Sequence, residues 1–347
     1  MDNYIYMPKD GGSSVSRMES FRCRVPLNKT KQFFVVDGIL DINSENVRAK
    51  EEGGYNIKVS ARESVNELLQ IISIREDESN PSIEFTNSFE LEERAEVKVL
   101  LCSHTLELRE FETNEHIDIK LAKNSILDLV VMQNEHNLSK HNSKFNITLE
   151  EGAILKLNMV TLHGGEISNT IELSLDGKHA EAVLNGLYLA DGKQKITTLV
   201  NINHNVPECM SSQLFKGILD GNSVAKFNGL IYVAPDAQKT EAYQANNNLV
   251  TCNTAKVYTQ PHLEIYADDV KCSHGATIGS LKDDELYYMR SRGIAVEEAK
   301  ILQKQAFAYA TLESISNTEL KERLYSLVER RLRGEFSHCS NCSNPFC

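Results

Sequence analysis

Cys272 and His274 are the residues of this sequence whose types and spacing most directly suggest chemistry. They stand two positions apart in the stretch 263-LEIYADDVKCSHGATIG-279. In an extended strand, residues two apart project to the same face, so the thiol and the imidazole would lie side by side. Both are ligands for iron, zinc or an iron–sulfur cluster. Two ligands do not complete a tetrahedral site, so a metal held here would need further ligands.

The last residues, 337-SHCSNCSNPFC-347, form a second group of potential metal ligands. Cys339, Cys342 and Cys347 accompany His338 there. A Cys-x-x-Cys pair with a third cysteine can bind zinc or iron, but no second anchored pair completes the pattern. Chain ends are also poorly ordered in many proteins. A metal-binding protein that acts through this tail and a reduced, solvated tail both stay open.

Other candidate groups are weaker. The carboxylates Glu264, Asp268 and Asp269 allow an alternative function, a β-helix carbohydrate-active enzyme. Neighbouring strand residues point to opposite faces, which makes the two aspartates poor partners, and the chain has no tryptophan for sugar stacking. No GxxxxGK[ST] loop is present, so ATP hydrolysis would have to come from a partner. Several histidines share no metal spacing and are expected at surface or inter-strand positions: His104, His116, His136, His141, His163, His179 and His204.

Composition limits the possible partners and compartment. The 347 residues include 37 basic and 49 acidic ones, a net charge of −12, and no basic run that could follow a phosphate backbone. No apolar stretch approaches the ~18 residues of a membrane span. The first residues lack the order of a signal peptide. We therefore expect a cytoplasmic protein with no nucleic-acid or membrane partner and with mostly reduced cysteines.

Most of the chain has the periodicity of short strands. Within residues 1–80, a mixed segment, Asp37-Gly38 predicts a hairpin turn in 33-FFVVDGIL-40, and residues 55–85 read as one strand-like and one helical run. Residues 81–279 are a succession of short alternating runs. Two of them, 182-AVLNGLYLA-190 and 225-AKFNGLIYV-233, share an Asn-Gly-Leu core at an offset of 43 residues. This weak repeat favours a stacked β-solenoid.

Residues 280–334 change to a helical period, before the Cys-rich tail of residues 335–347. Asp283 begins a first helix and Gly293 supplies its left-handed stop. A second helix is predicted within residues 297–315. A third begins with a capping box from Ser316 to Glu319 and has an apolar face that needs a partner surface: Leu320, Leu324, Leu327, Val328 and Leu332.

The run IYADDVKCSHGATIG, followed by LKDDELYYMRSRGI, resembles the C-terminal signature of the SufB/SufD family, which builds iron–sulfur clusters. The Cys-Ser-His-Gly-Ala-Thr order, with Asp268-Asp269 before it and residues 290–294 after it, is closer to SufD-like members than to SufB-like ones. The resemblance covers roughly residues 30–330 and is strongest over 210–312. It implies a right-handed parallel β-helix with a helical C-terminal part, which agrees with the independent solenoid prediction.

The resemblance also implies a function and partners. The chain would be a non-catalytic subunit of a SufBCD-type scaffold that supports cluster assembly and iron acquisition. A SufB-like subunit would pair with the end of the β-helix, and a SufC-like ATPase would bind the C-terminal helices. His274 takes the position of the family's cluster ligand or reactive histidine, and Cys272 is the second choice. The cluster would be transient and shared, and the isolated chain could form a homodimer.

The helical segment from Asp284 to Leu312 would be the ATPase-docking surface, with these anchors: Asp284, Tyr287, Tyr288, Arg290, Arg292 and Phe307. The alternative is that half of these side chains merely pack on the β-helix. The short N-terminus is expected to leave little room for the helical N-terminal domain of longer family members.

Overall fold

The computed structural model describes residues 27–77, 79–105 and 109–334. In this part of the chain nineteen strands precede three helices. The strands are β1 (Thr30–Val36), β2 (Ile39–Leu40), β3 (Val47–Ala49), β4 (Tyr55–Val59), β5 (Ser64–Arg75), β6 (Ser82–Leu91), β7 (Glu96–Thr105), β8 (Glu112–Leu121), β9 (Ile126–Asn134), β10 (Lys140–Leu149), β11 (Ile154–His163), β12 (Glu166–Leu175), β13 (Glu181–Ala190), β14 (Lys195–His204), β15 (Met210–Leu219), β16 (Val224–Val233), β17 (Glu241–Val250), β18 (Lys256–Ile265) and β19 (Lys271–Gly279). The helices are α1 (Asp283–Ser291), α2 (Val296–Leu312) and α3 (Thr318–Leu332).

The strands wind into a β-solenoid of about seven turns. From β4 onward, consecutive strands alternate between two sheets, which we call the odd sheet and the even sheet after the strands they contain. From β6 to β17, each strand pairs in parallel with the strands two before and two after it. Lys140 of β10, for example, lies between Glu112 of β8 and Glu166 of β12. The predicted β-solenoid with a helical C-terminal part is confirmed.

The two sheets differ in how their outer faces are covered. Even strands such as β10 alternate between buried and exposed residues, as expected for a sheet with one wet face. Odd strands such as β9 are buried along almost their whole length. Their inner side chains fill the solenoid, and their outer side chains pack against the C-terminal helices. The apolar face predicted for the third helix therefore has a partner surface, the outer face of the odd sheet.

Polar contacts fix the helices on this face. The Arg331 guanidinium of α3 is 5% exposed and donates to the Leu162 carbonyl at 2.8 Å and to Asp191 Oδ2 at 2.7 Å. The Ser314 hydroxyl, between α2 and α3, donates to Asn158 Oδ1 at 2.5 Å. These bonds have defined directions, so they fix the position of the helices where apolar packing alone would allow sliding.

Local sequence signals are largely confirmed. Val36 pairs with Ile39 in the β1–β2 hairpin, and the turn residues Asp37 and Gly38 have φ of 47° and 81°. Gly293 follows α1 with φ of 87°. The cap of α3 differs from the prediction, because the Asn317 side chain, and not Ser316, accepts from the Leu320 N–H. The Ser316 hydroxyl instead donates to Asp128 on β9.

The helical run predicted within residues 55–85 is wrong. Ser64–Arg75 is strand β5, paired in parallel with β1 and β7. Its run from Leu68 is apolar on both faces because both faces are covered, and such a run has no strand alternation to distinguish it from a helix. Strands before and after residue 80 belong to the same odd sheet, since β5 pairs directly with β7.

The repeated Asn-Gly-Leu motifs have a packing role. Gly186 lies on β13 and Gly229 on β16, three strands apart and on different sheets, so their offset is not the length of one turn. A Cβ at Gly186 would lie 2.1 Å from Phe215 Cδ1, and one at Gly229 would lie 2.0 Å from Gln244 Nε2. Each glycine therefore leaves room inside the solenoid for a large side chain.

The first end of the solenoid is closed by short antiparallel strands. β2 has two residues and pairs antiparallel with β1, at the edge of the odd sheet. β3 has three residues and pairs antiparallel with β4, at the edge of the even sheet. Very short edge strands are a common way to prevent further strand pairing.

A buried group of charged residues lies near this end. His141 donates through Nδ1 to Glu135 and faces Glu115 Oε2 through Nε2 at 3.2 Å. Asn87 Nδ2 donates to the other Glu115 oxygen at 2.6 Å. Burial alone would lower the pKa of His141, but the charge of Glu135 and the bonds to both carboxylates raise it to about 10. The same imidazolium holds the pKa of Glu135 below its usual value despite burial.

We expect Gly186→Ala to destabilise the fold by about 1–3 kcal/mol, because its Cβ would force Phe215 out of a filled interior. Gly279→Ala is the matched control, since a Cβ there has no neighbour within 4 Å. Denaturant unfolding of both variants measures the difference. Equal midpoints for the two variants would show that the solenoid interior near Gly186 is loosely packed.

The difference in unfolding free energy between wild type and His141→Gln should depend on pH. Because the folded pKa of His141 is about 10 and its unfolded pKa is about 6.5, the stabilisation by its charge is complete below pH 6.5 and disappears as the pH rises to about 10. Near pH 7 we expect a loss of about 3–5 kcal/mol, because Glu115 and Glu135 lose their cation. A difference that does not shrink toward pH 10 would contradict this assignment.

His204→Gln is the control for that measurement. Burial lowers the pKa of His204 to about 4, so this residue contributes stability above pH 6.5 that is lost as the pH falls toward 4. Its variant should therefore show no additional slope on the alkaline side.

Candidate cluster site at the open end of the solenoid

β18 and β19 form the last turn of the solenoid. They are the terminal strands of the even and odd sheets, and no other strand in the described ranges pairs with their outer edges. One side of each backbone therefore presents N–H and C=O groups that no strand satisfies. The side chains that would face the next turn are also uncovered. The open end, as we call this surface, combines a free backbone edge with interior-type side chains.

Cys272 and His274 belong to this surface. Cys272 pairs with Ala242 of β17 and His274 pairs with Gln244, and both of these partners point into the solenoid. The thiol and the imidazole therefore face inward on the same side of β19, as the two-residue spacing predicts. They remain accessible because no further turn of the described chain covers them: Cys272 is half-buried and His274 is exposed.

The environment of Cys272 is mainly apolar. The residue packs against a buried cluster of Ile231, Val233, Ala237, Ala242 and Ala267. Burial raises the pKa of its thiol above the usual value. In the isolated chain the thiol is therefore a protonated group at neutral pH, and a metal or a nearby positive charge would be needed to hold it as a thiolate.

The facing strand completes the open end with mostly apolar groups. Val257, Thr259, Pro261 and Leu263 of β18 are half-buried and point into the solenoid from the even sheet. Across the described residues, no group of three His, Cys, Asp or Glu side chains is arranged to hold a metal ion. Within the described residues, Cys272 and His274 therefore offer at most two ligands, fewer than a tetrahedral metal site needs.

The three carboxylates that suggested a carbohydrate-active enzyme are not all strand residues, as the sequence analysis assumed. Asp268 and Asp269 lie in the turn that connects β18 to β19 and not on a strand. Glu264 is on β18, where His262 Nε2 lies 3.6 Å from its Oε1. These three groups do not share the inner face that carries His274.

The remaining histidines divide into two groups. One group is half-buried or exposed and consists of His116, His136 and His179, of which His116 and His179 face glutamates; the other is buried: His104, His141, His163 and His204. The buried ones lie on strands β7, β10, β11 and β14, the second of the two placements expected from the sequence. The contact of His141 with Glu115 was missed because it joins residues of different turns. The potential ligands Cys339, Cys342 and Cys347 lie outside the described residues.

A groove lies between α1 and α2 beside the end of the odd sheet. Its volume is about 640 Å³, and its lining is mainly apolar: Leu249, Ser280, Leu281, Lys282, Asp284, Glu285, Tyr288, Met289, Leu302, Gln303, Ala306 and Phe307. The start of α1 is tied to α2 by two bonds of 3.1 Å between the Lys282 backbone and the Gln303 amide. None of the α1 side chains is buried, so this helix is an exposed wall of the groove.

The predicted docking residues fall on and around this groove. Asp284, Tyr288 and Phe307 line it. Tyr288 is 59% exposed, and the Arg292 guanidinium lies 5.2 Å from the centre of its ring. Phe307 is half-buried, with Lys216 Nζ 4.6 Å from its ring centre, which gives it a packing role as well.

The other two predicted anchors are Tyr287 and Arg290. They are exposed on α1 outside the groove, and Tyr287 is 75% exposed.

Within the described part of the chain, no helix combines the length and apolar character that crossing a membrane requires.

Comparison with known proteins identifies the family. Residues 76–307 match the model of the SUF system FeS cluster assembly, SufBD core domain. The chain is 34% identical over 252 residues to the iron-sulfur cluster assembly protein SufD of Escherichia coli, covering 72% of this chain and 59% of that protein. SufBD family proteins of Mycobacterium leprae and Synechocystis are each 32% identical, over 55% and 66% of this chain and 51% of their own lengths. The chain spans little more than half the length of these relatives. It belongs to the SufB/SufD family and is SufD-like.

Proposed function

We propose that this chain is a non-catalytic subunit of an iron–sulfur cluster assembly scaffold and that His274 acts on the cluster at a subunit interface. The relatives are named as iron–sulfur cluster assembly proteins, which supports the general role. The observation that carries the specific role is the open end. It places an imidazole and a thiol, both suited to iron, on an unpaired strand edge where another subunit can reach them.

The open end favours a partner with the same architecture. Exposed edge strands pair readily with other strands, and β18 and β19 offer two such edges at once. The interior-type side chains between them would be buried by a facing solenoid end. A SufB-like subunit fits these requirements. A second copy of this chain has the same end and would be an alternative partner when no SufB-like subunit is present.

The cluster is best described as cargo of the complex. His274 and Cys272 provide at most two ligands, so cysteines or carboxylates of the partner would supply the others. Sharing ligands between subunits makes a cluster labile, because any separation of the subunits removes part of its coordination. Such lability suits a scaffold that takes up iron and later releases a complete cluster.

The groove between α1 and α2 is our candidate docking surface for a SufC-like ATPase. Its apolar floor is next to the exposed aromatic ring of Tyr288 and to Arg292, residue types that contribute strongly to interfaces. This chain has no phosphate-binding loop of the Walker type, which supports placing ATP hydrolysis in the partner. The groove adjoins the odd sheet close to β19, so a partner bound there could influence the open end.

Replacing His274 by alanine should reduce the cluster content of the co-expressed complex by about tenfold or more, because it removes a ligand or reactive group. Anaerobic reconstitution, followed by visible absorption and iron analysis of the purified complex, measures this. His262→Ala is the matched control, since His262 is an exposed histidine on the neighbouring strand β18. Equal cluster content in the His274→Ala and His262→Ala complexes would exclude the proposed role of His274.

Replacing Leu302 by aspartate should weaken binding of the SufC-like ATPase by about tenfold, or about 1.4 kcal/mol, because it places a charge in the apolar groove. Leu138→Asp is the control: Leu138 is also an exposed leucine, at 46% compared with 37% for Leu302, but lies outside the groove. Calorimetric titration with the purified ATPase gives both affinities. Unchanged affinity for Leu302→Asp would place the docking surface elsewhere.

A further inference from the structure

The column of inward-facing residues that ends in His274 changes character along the solenoid. In the middle turns it consists of leucines, and in the last turns it becomes polar: Leu129, Leu157, Leu184, Gln213, Gln244 and His274 occupy successive paired positions of the odd sheet. The two glutamines are 2% and 3% exposed. Burying an amide costs free energy unless it is hydrogen-bonded, so two buried glutamines directly behind His274 require an explanation.

Gln244 has an acceptor that no other group satisfies. Its Nε2 donates to Gln213 Oε1 at 3.2 Å, while its own Oε1 is buried and has no hydrogen-bond partner. The side chain is held in place by its surroundings, because its amide lies over Gly229, where a Cβ would come within 2.0 Å of Nε2. A fixed carbonyl oxygen, which can only accept, is therefore present one turn behind His274.

His274 is paired with Gln244 on the next strand of the odd sheet and carries a ring N–H donor on the same inner face. Paired positions on neighbouring parallel strands are about 4.8 Å apart, which is within reach of a glutamine and a histidine side chain on the same face. A neutral imidazole has one N–H that donates and one nitrogen that accepts or binds a metal. If one ring N–H of His274 donates to Gln244, the second ring nitrogen is free to face out of the open end.

We propose that Gln244 is a positioning residue for His274: its Oε1 accepts a hydrogen bond from one ring N–H, fixes the tautomer and directs the other nitrogen toward the cluster. This inference rests on the proposed function for the meaning of that orientation, but the proposed hydrogen bond can be tested independently of it. Histidines that bind metals commonly donate their second N–H to a carbonyl or carboxylate, and loss of that partner lowers affinity or activity by about 10–100-fold.

The test compares Gln244→Met with Gln213→Met. Methionine keeps the length and unbranched shape of glutamine but has no amide oxygen, and the two sites are adjacent in one column with similar burial. In the full chain, 15N spectra of labelled histidine rings identify the tautomer of His274, with His274→Gln giving the assignment. We expect one dominant tautomer in wild type and in Gln213→Met, and a mixture of both tautomers in Gln244→Met.

The second readout is the cluster content of the co-expressed complex. It should fall by about tenfold in Gln244→Met and by no more than about twofold in Gln213→Met. Gln244→Glu, which keeps an acceptor oxygen at the same position, should restore both the single tautomer and most of the cluster. The same loss of cluster in both methionine variants, with unchanged ring spectra, would indicate a packing defect and overturn the proposal.

The wild-type spectrum already includes an outcome that overturns the proposal, so the test does not depend on whether the Gln244 and Gln213 variants fold. A mixture of His274 tautomers in the wild-type chain would overturn the proposal. Failure of the proposed function has a different signature: His274→Ala would leave the cluster content unchanged, while the ring spectra would still report whether Gln244 accepts from His274.

Discussion

Parallel hydrogen bonding between successive turns is the constraint on which this structure depends. Because each strand pairs residue by residue with the strand one turn away, every side chain belongs to a column that runs along the solenoid. Inside the solenoid, a side chain can occupy space that a neighbouring position of its column leaves free, as Phe215 does over Gly186. Among the described residues, the same column has no successor beyond the last turn. The accessibility of Cys272 and His274 follows directly from this geometry.

The C-terminal helices depend on the same arrangement. Stacked odd strands create a broad apolar outer face, and α2 and α3 cover it. Arg331 and Ser314 then connect the helices to particular strands by hydrogen bonds. Helix α1 has no buried side chains. It is held chiefly at its start, where the Lys282 backbone bonds to the Gln303 side chain of α2. The groove beside α1 is therefore defined by a fixed wall on α2 and an exposed wall on α1.

Features with local signals could be predicted from the sequence. Asp37 and Gly38 require the left-handed backbone of a tight turn, and the pair that ends in His274 needs only the two-residue period of a strand. β5 could not be identified, because burial on both faces removes its alternation. The contact of His141 with Glu115 and the position of Gln244 behind His274 depend on register between turns. Turn length varies along this solenoid, so residue spacing in the sequence does not indicate which residues align.

The difference between the two ends of the solenoid has a consequence for stoichiometry. A subunit with two adhesive ends would polymerise into a fibre, since each addition would create a new binding edge. Here, in the described part of the chain, the two-residue β2 and the three-residue β3 terminate the sheets at the first end, and only the opposite end offers long strands. Among the described strands, those at the open end thus offer the longer edges, and end-to-end association through them closes after two subunits.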